Sequence, residues 1–128
     1  MLTRRRIFAP LLLVSAGACT APSTMPAVEV PASIAKYYSV TEMAGLLEKF
    51  GEIDAALSAD CTADERNALK VWMAFMAVAL EAGDDPDRTA ELEADTALKT
   101  AAEDAKARRE AISAGCNQAV KSATWGFL

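Results

Sequence analysis

Along residues 40–58, apolar residues recur at steps of three and four, which is the spacing of one face of an α-helix. Ser39 and Glu42 form a capping-box pattern at its start, in which each side chain accepts a hydrogen bond from the other's backbone N–H. The sequence therefore predicts an amphipathic helix over about 40–58. Its apolar face carries Met43, Leu46, Leu47, Phe50, Ile53, Ala56 and Leu57.

A second capping-box pattern, formed by Thr62 and Glu65, predicts another helix over about 63–82, with Gly83 as a typical stop. Residues 71–80 within it are ten consecutive apolar residues. A helix that is apolar all round must be covered on several sides, and ten residues are too few to cross a bilayer. This segment is therefore predicted to be the central element of the core.

Trp72, Phe75 and Met76 are, together with Met73, bulky side chains of this central segment that could line a pocket. At helical spacing in so apolar a run, they favour core packing. The alternative is that they contact a partner or line a pocket for an apolar ligand, because Met adapts to varied surfaces. These three residues are the candidate contacts of the helical domain.

Residues 84–87 predict a turn into a third helix, with Asp85 as N-cap and Pro86 at the first helical position. The Ala-rich segment that follows favours one long helix over about 86–114, stopped by Gly115. Charge pairs four residues apart support it: Asp95 with Lys99, and Asp104 with Arg108. No segment alternates in polarity as a strand does. The predicted fold is all-α, a small bundle of three or four helices within residues 34–128.

The N-terminal segment has a different pattern. Three arginines at 4–6 precede an apolar run at 7–14, and small residues follow up to Cys19. A cationic start, a short apolar stretch and small residues mark an export signal, and with the cysteine the segment resembles a bacterial lipoprotein signal peptide. The resemblance implies removal of residues 1–18 and lipidation of Cys19; cleavage that leaves Cys19 unmodified is the alternative. The arginines are also similar to those of a twin-arginine leader, so two export routes remain open.

The resemblance also implies a location at the periplasmic face of a cell-envelope membrane. Residues 19–33 contain three prolines and little apolar periodicity, which is typical of an extended tether. Enteric lipoproteins that stay in the inner membrane usually carry Asp directly after the lipidated cysteine. Here Thr20 stands at that position, and the absence of Asp favours the outer membrane. A soluble periplasmic protein is the alternative.

Removal of residues 1–18 would leave 18 acidic residues against ten basic ones, a net charge of −8. Phosphate binding depends on clustered Lys and Arg, so this balance disfavours nucleic acid as a partner. The chain also has no histidine, which excludes His-based acid–base catalysis and His-containing zinc sites. The acidic run 84–87 favours a capped turn over a Ca²⁺ site, because it lacks the spacing of an EF-hand loop. No catalytic residue, metal or cofactor is expected.

Assigning Cys19 to the lipid leaves Cys61 and Cys116 as an even pair in an oxidising compartment. A disulfide between them is predicted, worth about 4 kcal/mol by chain-entropy arguments. Two free thiols or an intermolecular bridge are the alternatives. An antiparallel hairpin of the second and third predicted helices would place both cysteines at one end. Because the third helix is longer, it would need a start nearer Thr89, a bend or an irregular last turn to bring the sulfurs together.

The tail contains Trp125 and Phe127, which are predicted to fold back on the bundle; an exposed docking peptide is the alternative. The expected function is that of a non-enzymatic, lipid-anchored interaction or accessory module for another envelope protein. The alternative is binding or sensing of a small apolar ligand by the helical bundle.

Overall fold

The computed structural model describes residues 30–123, in which every regular element is an α-helix. The all-α prediction is therefore confirmed. Cys19, Trp125, Phe127, the leader and most of the predicted tether lie outside the described residues. The helices are α1 (Ala32–Ala35), α2 (Val40–Leu57), α3 (Ala63–Glu81), α4 (Pro86–Ala94), α5 (Thr96–Glu110) and α6 (Ala114–Ser122).

Both predicted capping boxes are present and fix the starts of α2 and α3. Ser39 Oγ accepts from the Glu42 N–H at 3.1 Å, and Glu42 Oε1 accepts from the Ser39 N–H at 2.8 Å. Thr62 and Glu65 repeat the arrangement at 3.1 and 2.9 Å. The first N–H groups of a helix have no partner inside it, so these side chains determine where each helix begins.

α2 and α3 are joined by a short turn and held together by a charged cluster. Asp54 on α2 lies 2.8 Å from the Nζ of Lys70 and 2.9 Å from the Nε of Arg66, both on α3. Lys70 is only 4% exposed, so it needs this partner. Partial burial alone would raise the pKa of Asp54, but the hydrogen bonds from Lys70 and Arg66 outweigh it and lower that pKa.

The prediction of a single helix over 86–114 is wrong. The chain leaves helical geometry at Asp95 (φ −88°, ψ 96°), which separates α4 from α5. Its Oδ1 accepts from the Leu98 N–H at 3.0 Å and so caps α5. Its Oδ2 binds Lys36 at 2.7 Å and accepts the Tyr37 hydroxyl, contacts that lie far away in sequence. Asp95 therefore pairs with Lys36 and not with Lys99.

The chain turns a second time near the end of the predicted helix. α5 ends at Glu110, and Ser113 caps α6 by accepting from the Cys116 N–H at 3.2 Å. Gly115 lies in the first turn of α6, so the prediction that it stops a helix is wrong. The predicted pair of Asp104 and Arg108 is present at 3.1 Å on α5.

These two breaks bring the cysteines together. α4 forms a corner, after which the 15 residues of α5 run about 23 Å back along α3. Cys61 before α3 and Cys116 on α6 form a disulfide with an S–S distance of 2.04 Å. Glu65 on α3 also accepts from the Ser113 N–H at 2.7 Å. The predicted disulfide is therefore present, and it fixes the end of α5 beside the start of α3.

The core lies between α2, α3 and α5 and is closed by α1 and α6. Ile34 on α1 is fully buried, and the Tyr38 hydroxyl donates to the Ala74 carbonyl at 2.6 Å, so the segment before α2 is part of the fold. The principal buried residues are Leu46, Phe50, Ile53, Leu57, Leu69, Met73, Leu98, Ala105, Cys116 and Val120. Among the described helices, none combines the length and hydropathy that a bilayer span requires.

Candidate interaction surface

α3 is buried on one side and incompletely covered on the other. Leu69, Met73, Ala74 and Val78 are buried in the core. A second set of side chains is half-buried, except Leu80, which is 60% exposed. This set is Trp72, Phe75, Met76, Ala79 and Leu80, at positions i, i+3, i+4, i+7 and i+8, and we call it the apolar stripe. Residues at this spacing are neighbours on one helix face, so the stripe is continuous.

A groove of about 350 Å³ lies beside the apolar stripe, between the second half of α3 and the α4–α5 corner. The stripe residues Phe75 and Ala79 form part of one wall, and Leu92 and Leu98 form part of the other. Its complete lining is Phe75, Ala79, Ala82, Gly83, Thr89, Leu92, Glu93, Leu98, Lys99 and Ala102. The groove and the apolar stripe therefore form one surface.

Three of the residues that line the groove have polar side chains. The Thr89 hydroxyl donates to the Ala82 carbonyl at 2.9 Å, so its polar atom is already engaged. Glu93 and Lys99 are exposed. The groove is therefore apolar inside and charged at its border. It lacks the converging polar groups that orient a small molecule in a typical ligand site.

The stripe contains the residues that the sequence named as candidate contacts. Trp72 and Phe75 pack at a centroid distance of 5.9 Å with a tilt of 41°. Both pack against the core and are only partly exposed, so neither core packing alone nor surface contact alone describes them. Sequence analysis did not single out Leu80, although its position eight residues after Trp72 would have placed it on the same face.

The turn before α4 is strongly acidic and borders the groove at Gly83 and Thr89. Asp85 Oδ1 accepts from the backbone N–H groups of Asp87 and Arg88 at 3.0 and 3.2 Å, so the predicted cap is present. Residues 81–93, which we call the acidic segment, contain six carboxylates against the single cation Arg88, a balance of −5. Arg88 is itself paired with Glu91 at 3.1 Å.

The opposite end of the bundle holds a second cluster, formed by Cys61, Cys116 and Glu65, whose ligand-type atoms lie within 4.8 Å of one another. The two sulfurs are bonded to each other. The Glu65 carboxylate accepts from the backbone N–H groups of Thr62 and Ser113, which lowers its pKa. The cluster is thus a structural junction that ties three segments of the backbone together.

Comparison with known protein families, curated proteins and solved structures finds no match for this chain. The functional argument therefore depends on the apolar stripe, the groove and the charges around them.

Proposed function

We propose that this protein is a non-enzymatic interaction module of the bacterial cell envelope, held at the periplasmic face of a membrane by a lipid on Cys19. It binds another envelope protein through the apolar stripe and the groove. The observation that carries the proposal is the incompletely covered side of α3, where Leu80 is 60% exposed beside half-buried Phe75 and Met76.

Isolated exposed apolar residues are common on soluble proteins and need no explanation. A continuous apolar surface with a charged border is different, because such surfaces mark sites of protein contact. Here five apolar residues share one helix face, and a groove adjoins them. Aromatic and Met side chains are also enriched at the centres of protein interfaces.

The envelope location is supported by the N-terminal sequence and by the disulfide. The arginines, the apolar run and Cys19 resemble a lipoprotein leader. The Cys61–Cys116 disulfide fits an oxidising compartment, because disulfides are rare in the cytosol. Intact-mass analysis of the protein from its native membrane tests this part. A chain that begins at Cys19 with added acyl groups would support the anchor, and a full-length unmodified chain would refute it.

The contact itself is tested by photo-crosslinking in native membranes. A photoreactive amino acid replaces Leu80 or Met76 in the apolar stripe, or Val40 as the matched control. Val40 is the other large exposed hydrophobic residue among residues 30–123, at 90% exposure, and it lies outside the stripe. We expect one discrete adduct with another protein from the two stripe positions and none from Val40. Equal products from all three positions, or no product, would contradict the proposal.

The groove also supports a second candidate, the binding of a small apolar ligand. A volume of about 350 Å³ is within the usual range of ligand pockets. The charged groups of the groove, Glu93 and Lys99, lie at its border and do not converge on its apolar interior, which is why this function is second. Native mass spectrometry of the purified protein tests it: a bound small molecule that is lost in a Leu92→Ser variant would favour the ligand over the protein partner.

A further inference from the structure

We infer that the partner contributes a cationic amphipathic helix, which lies along the apolar stripe with its apolar side in the groove. This inference rests on the proposed docking function and specifies the chemistry of the partner. Three properties of the surface support it: its shape, the state of its backbone groups and its charge.

The shape of the surface suits a helix. From Trp72 to Leu80 the apolar stripe extends about 12 Å along α3, or a little over two helical turns. The groove that α4 and α5 form beside it gives a concave seat. An amphipathic helix packs into such a seat with apolar residues at positions i, i+3, i+4 and i+7. This is the spacing that the apolar stripe itself presents.

The backbone of the surface excludes an added strand as the mode of binding. The walls of the groove are contributed mainly by helices, whose N–H and C=O groups bond within each helix. The Ala82 carbonyl, just beyond the end of α3, accepts from the Thr89 hydroxyl at 2.9 Å and from the Asp85 N–H at 3.0 Å. An extended peptide in the groove would therefore leave its own backbone unpaired, which is costly. A helix satisfies its own backbone and avoids this cost.

The charge determines which helix fits. The acidic segment carries a balance of −5. Glu93 and Lys99 both lie at the border of the groove, and with Lys99 counted the balance is still −4. A partner with Lys or Arg beside its apolar face would be attracted by these carboxylates. A second copy of this chain would bring an equally acidic segment to the interface. An anionic lipid surface would be repelled for the same reason.

The test uses synthetic helices because the partner is unidentified. Three labelled peptides of roughly 14 residues share one set of leucines. In the first peptide, Lys flanks the leucines at helical spacing; in the second, Glu replaces Lys; in the third, the order of the first is scrambled. The protein is the full chain, in zwitterionic nanodiscs if it carries its lipid and in buffer if it does not. Binding is measured by fluorescence anisotropy at low and high salt.

We expect the Lys peptide to bind about tenfold more tightly than the Glu or scrambled peptides, with a smaller difference at high salt. Leu80→Ser should weaken binding of the Lys peptide about tenfold, since it removes the most exposed apolar side chain of the apolar stripe. The matched control Val40→Ser should leave it unchanged. Glu93→Gln should weaken it about threefold, while Glu48→Gln on α2 should have no effect.

The other outcomes separate this inference from the docking function on which it rests. Equal, salt-independent binding of the Lys and Glu peptides would overturn the cationic helix and leave docking intact. If no peptide binds but Leu80 still crosslinks to a protein in membranes, the cationic helix is likewise overturned while the docking function stands. A dimer of this chain that Leu80→Ser dissociates would overturn the inference in favour of a second copy. Failure of both the peptides and the crosslinks would overturn the docking function as well.

Discussion

Asp95 joins two segments of the chain through three partners on one carboxylate. One oxygen caps α5 through the Leu98 N–H, and the other binds Lys36 and the Tyr37 hydroxyl. The hydrogen bonds from Lys36, Tyr37 and Leu98 hold the pKa of Asp95 well below its usual range. The carboxylate in turn raises the pKa of Tyr37 to about 12, because ionisation would remove the hydrogen bond that the Tyr37 hydroxyl donates to it and would place a second negative charge beside it. Arg88 lies over the same ring, 5.4 Å from its centroid.

We predict that Asp95→Asn lowers the melting temperature at neutral pH and reduces the acid sensitivity of the fold. The folded pKa of Asp95 is below its unfolded value, so its contribution is full above about pH 4 and is lost as the pH falls through the folded pKa. The difference in stability between wild type and variant should therefore shrink in acid. Thermal unfolding followed by circular dichroism across this range measures it.

The control for this prediction is Asp104→Asn. Asp104 pairs with Arg108 on the exposed side of α5, and such pairs contribute little. Its melting temperature should stay close to that of the wild type. If the difference in melting temperature between the wild type and Asp95→Asn stays constant from neutral pH into acid, the role assigned to the Asp95 charge is contradicted.

The helices depend on local signals at their starts and on distant contacts at their breaks. The capping boxes of Ser39 with Glu42 and of Thr62 with Glu65 can be recognised in the sequence because each involves residues three positions apart. The helix break at Asp95 cannot be recognised in the sequence. Helix-forming residues flank the break, and the partners of Asp95, Lys36 and Tyr37, are about 60 residues away in sequence. The bundle and the disulfide could thus be predicted, whereas the α4–α5 corner could not.

The same limit applies to the interaction surface. The sequence identified Trp72, Phe75 and Met76 as candidates but favoured burial, because a run of ten apolar residues offers no polar face. Which side of α3 stays uncovered depends on where α4 and α5 pack. The groove is built from Leu92 and Leu98 on either side of the unpredicted break. It could therefore not be found before the break was known.

α2 contains a glycine that weakens it without a packing role. No atom lies within 4 Å of where a Cβ on Gly51 would stand. We predict that Gly51→Ala stabilises the protein by about 1 kcal/mol, since Ala restricts the unfolded chain and favours the helix. Chemical denaturation measures the change. A lower free energy of unfolding for Gly51→Ala would contradict this, because it would mean that a methyl group at position 51 is not accommodated.

The disulfide should contribute more to stability than any single surface contact. Replacing both Cys61 and Cys116 by Ser should lower the free energy of unfolding by about 4 kcal/mol, because the bridge constrains a long loop of the unfolded chain. Denaturant titration with and without a reductant measures it. Under reduction, the free energy of unfolding of the wild type should match that of the double variant. If reductant leaves this free energy unchanged although both thiols are shown to be free, the contribution assigned to the disulfide is contradicted.

At the scale of the whole molecule, the chain enters the fold beside the proposed docking surface. The segment that follows the predicted tether contributes Lys36 and Tyr37 to Asp95, and Asp95 caps the helix whose Leu98 lines the groove. The disulfide stabilises the opposite end of α3. We therefore expect the tether to join the bundle, and the partner to bind it, at one end of α3, while the disulfide stabilises the other end.

The central claim is that another protein covers the apolar stripe in the native envelope. Carbene footprinting of native membranes, compared with the purified full chain, measures this directly through the labelling of Leu80 relative to Val40. Both side chains are exposed in the isolated protein, at 60% and 90%. If a partner covers the stripe, the Leu80-to-Val40 labelling ratio should fall several-fold in native membranes. A ratio that is the same in membranes and in the purified protein would contradict it.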